Sequence, residues 1–204
     1  MNNKPYIRYI KIIFLCIIAS CANYFLSTFS VHTLQIPLYL DTVFSAALCF
    51  GIGLIPALAA AILTHILAAF RDGGFTPFIV CSIAEVIIIW FLKPGKDIIG
   101  KKFPVGLLGS LLFLYIVLGI SVSVLGGLVD FFYHEVFSVG KFYFSAEDTI
   151  KIGLLQNDIS TLTMNIISRI PVNIVDRFMV VFGGYFTAMG LKRLKIFFPD
   201  NSAT

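Results

Sequence analysis

The chain has 204 residues, 58% hydrophobic and only 13% charged, about half the roughly 25% charged share of soluble domains. With 21 phenylalanines and a mean hydropathy of +0.95, it carries more apolar surface than a soluble domain of this length hides, which points to an all-α polytopic membrane protein. A net charge of +4 reflects loop topology in such a chain and calls for no nucleic acid.

A spanning helix needs about 20 mainly apolar residues. In chain order the predicted spans are about 7–29, 38–54, 56–70, 75–92, 104–132 and 164–190, a six-helix bundle in a single membrane domain, 1–204. The second and third runs nearly merge. Gly51, Gly53 and Pro56 in "GIGLIP" separate them.

Charge supports the even count. Lys4, Arg8 and Lys11 open the first span, Lys93, Lys96, Lys101 and Lys102 link the fourth to the fifth, and Lys192, Arg193 and Lys195 follow the sixth. Six spans put these ten residues on one side, which the positive-inside rule makes cytoplasmic, along with both termini. The loops at 30–37, 71–75 and 133–163 then face outward. The last is net acidic.

Cys16, Cys21, Cys49 and Cys81 lie in apolar runs without a CxxC, so they read as small buried residues. A rival reading takes "IASC", ending at Cys21, as a lipoprotein cleavage box. Phe25, Leu26 and Phe29 continue the apolar run beyond it and favour an ordinary first helix. Whether Cys21 is a lipidation site stays open.

The polar residues inside the spans carry the functional question. Arg169, Asn173, Asp176 and Arg177 share one face of the sixth helix, opposite Ile174, Phe178, Val181 and Phe182. A charge near the bilayer centre costs roughly 2.5–3.5 kcal/mol on insertion scales, so such groups face the bundle or a wet cavity. Asp41, His65, Glu85 and Asp130 lie on the second to fifth spans, in the outer half or near the middle. This layout suits a pocket open to the outside, with Asp41, His65, Glu85, Asp130, Arg169, Asn173 and Asp176 as substrate-binding residues. The bland alternative is that the charges pair across helices and fix packing. Tyr39, Phe75, Phe78, Tyr115 and Tyr133 offer ring stacking. His32 and His134 fall in separate loops, so no metal is expected.

Ala57, Ala60, Ala61, Thr64 and Ala68 form a small-residue face on the third span, open equally to internal packing and to a partner subunit. HExxH, GxSxG, an aspartyl GxGD pair and a P-loop are all missing, so neither an enzyme nor a cofactor is expected and ATP is not hydrolysed by this chain.

Two segments, "IPLYLDTVFSAALCFGIGLIPALAAAILTHIL" and "RIPVNIVDRFMVVFGGYF", resemble the substrate-binding S components of energy-coupling factor (ECF) transporters. The resemblance covers about a third of the chain directly, and the six-helix layout covers the rest. It implies a binder of a vitamin or similar micronutrient in the bacterial cytoplasmic membrane, working with a transmembrane coupling protein and two ATPase subunits. The family's ligands lie in the outer half of the bundle. Its first helix often docks the coupling protein through an Ala-xxx-Ala face. Here that region reads "CIIASCANYF", so Ser20 on the first helix and Ala57, Ala61 and Thr64 on the third become the expected partner contacts. Similar segments occur in membrane sensor regions fused to histidine kinases, though no kinase is expected behind Thr204. A sensor or scaffold domain is therefore the alternative, with an unrelated carrier or membrane enzyme as a third class. The charge of the substrate stays open.

The topology is testable by cysteine labelling in intact cells. Reagents applied outside should reach cysteines introduced at Thr33 and Ser145 but not at Lys96. Labelling at Lys96 would overturn the six-span arrangement.

Overall fold

The computed structural model describes residues 5–34, 36, 38–74, 77–95, 105–136, 150–151, 153–154 and 159–193. Lys4, Phe75, Lys96, Lys101, Lys102, Lys195 and most of the acidic 133–163 loop lie outside the described residues. Among those described, all regular structure is helical. Helix α1 (Pro5–Thr28) ends in a π turn, Phe29–Thr33. Helices α2 (Val43–Gly51), α3 (Leu54–Asp72) and α4 (Ile79–Leu92) follow. Helix α5 (Val105–Asp130) ends in a second π turn, Phe131–Val136. Helix α6 (Thr161–Phe178) continues through a third, Met179–Gly183, into α7 (Gly184–Arg193).

Four of these rods are long and apolar enough to cross a membrane: Tyr6–Thr33, Leu54–Asp72, Val105–Tyr133 and Thr161–Lys192. The second and fourth expected spans are shorter than the sequence suggests. Helix α2 has 9 residues and α4 has 14, roughly 13 Å and 21 Å at 1.5 Å per residue, against a hydrocarbon core of about 30 Å. Leu38–Thr42 is not helical. Leu40 adopts φ 46, a left-handed conformation that an α-helix of L-residues does not propagate. Its N–H donates to Asp176 Oδ1 at 2.8 Å. Irregular backbone inside a helical bundle needs partners for its polar groups, and the carboxylate of α6 supplies one for this N–H.

The joint between α2 and α3 is two residues long. Gly53 holds φ 158 and ψ −178 there, a region open essentially to glycine. Beside it, Lys93 Nζ donates to the Cys49 carbonyl at 3.0 Å and lies 3.6 Å from the Trp90 ring centroid.

Contact registers give the helix directions. Cys16 Sγ reaches the Pro56 carbonyl (3.4 Å), Ser20 Oγ the Ala60 carbonyl (3.1 Å) and Asn23 Nδ2 the Thr64 hydroxyl (3.4 Å). Both numbers rise together, so α1 and α3 run parallel. Along α5 and α6 the pairs descend, from Gly127–Ile166 and Gly126–Arg169 to Ser123–Asn173, so those helices are antiparallel. Helix α2 packs among α1, α3, α4 and α7, with Ala46 and Cys49 fully buried. Ile10, Ile13, Phe25, Ile55, Phe70, Phe113 and Ile120 point outward from the long rods. Such a surface fits lipid rather than water.

The small-residue face is occupied internally. Ser20, Ala57 and Ala61 are fully buried and Thr64 is 2% exposed, in the interface where α1 meets α3. A partner could touch them only if the two helices parted. For Ala57, Ala61 and Thr64, where the sequence left internal packing and a partner both open, the structure displays internal packing, and Ser20, expected as a partner contact, is packed in the same interface.

The lipid-facing stripe of the sixth rod also needs correction. Ile174 and Phe178 are half exposed as expected, but Val181 is completely buried. The π turn Met179–Gly183 adds a residue to one turn and rotates the helix face. This carries Val181 inward and sets Gly184 against α2. A Cβ at Gly184 would lie 2.8 Å from Ala46 Cβ and 3.0 Å from the Val43 carbonyl oxygen, and one at Gly127 would lie 2.8 Å from Ile166 Cα. Gly109 has nothing within 4 Å. Gly184→Ala and Gly127→Ala should each destabilise the purified protein by about 1–3 kcal/mol through overpacking. Gly109→Ala should be neutral or stabilising by up to about 1 kcal/mol. Thermal unfolding in detergent measures both, and equal effects at the three positions would contradict this packing.

Candidate functional site

Helix α6 supplies the core of the site. Ser168, Arg169, Val172, Asn173, Asp176 and Arg177 are all buried, while Ile167, Ile170, Ile174 and Phe178 are exposed. The intervals of three and four residues place the polar groups in one stripe facing the bundle. Arg169 and Arg177 are eight residues apart, roughly 12 Å along the axis. The stripe divides into two ionic clusters with a neutral contact between them.

The deeper cluster centres on Arg177, whose guanidinium bridges Glu85 of α4 and Asp176 of its own helix. Glu85 Oε2 also accepts from Thr42 Oγ1 at 2.9 Å. Asp176 Oδ1 accepts the Leu40 N–H, as described above. Glu85 and Asp176 are completely buried and Arg177 is 3% exposed. Asp41 lies at the rim, its side chain 21% exposed, with Oδ2 3.6 Å from His65 Nε2. That nitrogen is also 2.8 Å from Ser82 Oγ. Helix α2 begins beside this cluster, so its N-terminal dipole end faces carboxylates, a favourable polarity. Asn23 Oδ1 on α1 accepts the Phe44 N–H at 2.8 Å and satisfies one of the free donors of that helix start.

Even so, two polar atoms of the deep cluster, Glu85 Oε1 and Arg177 Nε, are buried without a hydrogen-bond partner. Such atoms normally have one.

The second cluster lies nearer the end of the bundle that holds the α3–α4 link. Asp130 accepts from Lys151 Nζ at 2.5 Å and lies 3.5 Å from Arg169 Nη2. The Arg169 guanidinium stacks 4.8 Å from the Phe78 ring centroid, a cation–π distance. It runs over Gly126, where a Cβ would come within 3.1 Å of Nη1. Between the clusters Asn173 Nδ2 donates to Ser123 Oγ at 3.0 Å.

The structure thus gathers Asp41, His65, Glu85 and Asp176 around Arg177, places Asp130 with Arg169, and sets Asn173 between them. Sequence reasoning did not single out Thr42, Ser82, Ser123 or Lys151. Only the first had a usable signal, its position next to Asp41. The hydroxyls of Ser82 and Ser123 are invisible as site residues until α4, α5 and α6 are packed. Two surface depressions are present, neither lined by a charged residue of the stripe, although the second reaches Ser123. One of about 410 Å³ sits at the end of α3 against Ile66, Phe70 and Gly73. One of about 330 Å³ runs between α5 and α6 and is lined mainly by Ile116, Ile120, Ile166, Ile170 and Ile174. Among the described residues, no cluster of three or more His, Cys, Asp and Glu side chains has the arrangement of a metal site.

Comparison with protein-family models, with curated proteins and with solved structures finds no match.

Arg177 compensates two fully buried carboxylates, so its removal should be severe. Breaking a buried ion pair by deleting one partner costs about 3–5 kcal/mol, because the other charge is left uncompensated. Arg177→Met should lower stability by that amount and Glu85→Gln by less. Arg177→Lys should fall between Arg177→Met and the parent, since an ammonium keeps the charge without the planar fork. Unfolding of the purified variants gives the ranking, and a stable Arg177→Met would refute the central role of this guanidinium.

Proposed function

We propose that the chain is a membrane-embedded substrate-binding subunit of the S-component type, taking up a vitamin or similar micronutrient and energised by a separate coupling protein and ATPase pair. The observation that carries this reading is the ionic stripe of α6 meeting a short, interrupted α2. Unwound backbone at Leu38–Thr42 and a helix N-terminus converge with Asp41, Glu85, Asp176 and Arg177 inside an apolar bundle. Broken helices whose ends meet buried charges are a recurrent way for membrane carriers to build a ligand site. The resemblance of the two sequence segments supports the same class. In this reading the chain crosses the bacterial cytoplasmic membrane six times, with α2 and α4 as shortened crossings and both termini cytoplasmic. The stripe then opens outward. The coupling protein docks on a surface other than Ser20, Ala57, Ala61 and Thr64.

A second reading, a sensor or scaffold domain acting through protein partners, draws on the direct pairing of Arg177 with Glu85 and Asp176, since internal pairing also suits a rigid relay. Native mass spectrometry of the detergent-purified protein separates the two. A co-purifying small molecule, lost in Asn173→Leu, is the expected result. Concentrative uptake into vesicles should appear only when a coupling protein and its ATPases are added. A ligand-free protein that captures a kinase would support the sensor reading, and uptake by the chain alone would support a secondary carrier.

A further inference from the structure

Two ridges flank the seam between α5 and α6. Ile116, Ile120 and Val124 stand on α5, and Ile166, Ile170 and Ile174 on α6, each row at intervals of four residues and therefore along one helix face. Between the ridges the α5 row Gly119–Ser123 carries almost no side chain. The result is the groove of about 330 Å³ described above. It lies midway along the rod Val105–Tyr133. At 1.5 Å per residue each ridge runs roughly 12 Å.

Three properties limit what fits there. The lining is uncharged, and Ile116, Ile120, Val124, Ile170 and Ile174 are exposed, so the groove is continuous with the lipid-facing surface of both rods. The hydroxyl in its floor is engaged: Ser123 Oγ donates to the Gly119 carbonyl at 2.7 Å and accepts from Asn173 Nδ2 at 3.0 Å. A polar group entering there would lose its hydration without a new partner at the floor. The third property is size. A helix segment of the same length, about 10–12 Å across with its side chains, fills roughly 1000 Å³, about three times the groove.

We propose that this groove is a binding site for one acyl chain of a membrane phospholipid. A chain lying on a convex rod touches protein on one side. Here it touches two walls and a floor, and the dispersion contacts add with every neighbouring atom. The walls are β-branched, with one strongly preferred χ1 rotamer in a helix, so they lose little freedom when the chain settles. The occupant also covers the seam over the Asn173–Ser123 contact. The site belongs to the lipid-facing surface and does not depend on the substrate-binding reading.

The test is photocrosslinking of the full chain in phosphatidylcholine vesicles that hold a trace of phosphatidylcholine with a diazirine near the end of one acyl chain. Peptide mass spectrometry maps the labelled residues. Ile17 and Ile62 serve as references, being exposed isoleucines midway along Tyr6–Thr33 and Leu54–Asp72. Ile120 and Ile170 should label about threefold more than these, in line with three contacting surfaces against one. Gly119→Leu should bring Ile120 and Ile170 down to the level of the references, whose own labelling stays unchanged. A Cβ at Gly119 meets nothing within 4 Å, so this variant fills the groove without disturbing the packing. Gly119→Ala, the second variant, should give a partial reduction. Equal labelling at all four isoleucines in the parent chain would show annular lipid only and overturn the proposal. So would labelling of the groove below the references, the mark of a second copy seated there, or groove labelling that survives both variants.

Discussion

Everything at the centre of this bundle depends on Arg177 being held between Glu85 and Asp176. A guanidinium is always charged, and its planar fork can serve two carboxylates at once. That one group ties α6 to α4 directly. Through Thr42 on Glu85, and through Leu40 on Asp176, the same ion set also fixes the chain segment that enters α2. Lipid gives helices little apolar drive to associate, so close packing and buried polar contacts must hold the assembly together. The contacts at Ser20, Asn23 and Thr64 do this between α1 and α3, and the Arg177 set does it among α2, α4 and α6.

The interrupted second rod follows from that arrangement. A helix running unbroken from residue 38 would hold Leu40 at a right-handed φ and draw its carbonyl into the helical ladder. Instead the Leu40 N–H is given to Asp176, Leu40 turns left-handed, and α2 starts late, among carboxylates. Helix α2 can be short because it is surrounded by protein, with Ala46 and Cys49 out of contact with any solvent. The α4 helix is likewise shorter than the rods around it. For α2 an interior position removes the demand on length that an apolar solvent places on a helix crossing it.

What the sequence revealed and what it hid have physical reasons. Hydropathy marked six helical segments, and the 3.6-residue period marked the buried stripe Arg169–Asn173–Asp176–Arg177, because both depend only on which residue types recur at which spacing. The late start of α2 was hidden, since it depends on a carboxylate more than a hundred residues away. Val181 turned inward because a π turn shifts the helical period by a residue, and no local composition announces that shift. Pairing of the charges across helices was legible as an option, but that Arg177 meets Glu85 and also Asp176, its sequence neighbour, required side-chain geometry. Ser20, Ala57, Ala61 and Thr64 were recognisable as a face for close contact. A pattern of small residues says that something packs there, and it does not say whether that something is the same chain.

The π turn at Met179–Gly183 also makes the last rod a phase-locked object. Above it, the angular position is set by ions; below it, by the tight approach of Gly184 to Ala46. The two halves agree only because one extra residue is accommodated between them. Loss of a single residue there would swing everything downstream by about 100°, turning Tyr185 and Ala188 out of the core. Lineages of this chain should therefore tolerate exchange of one apolar residue for another in that turn far better than any change in its length.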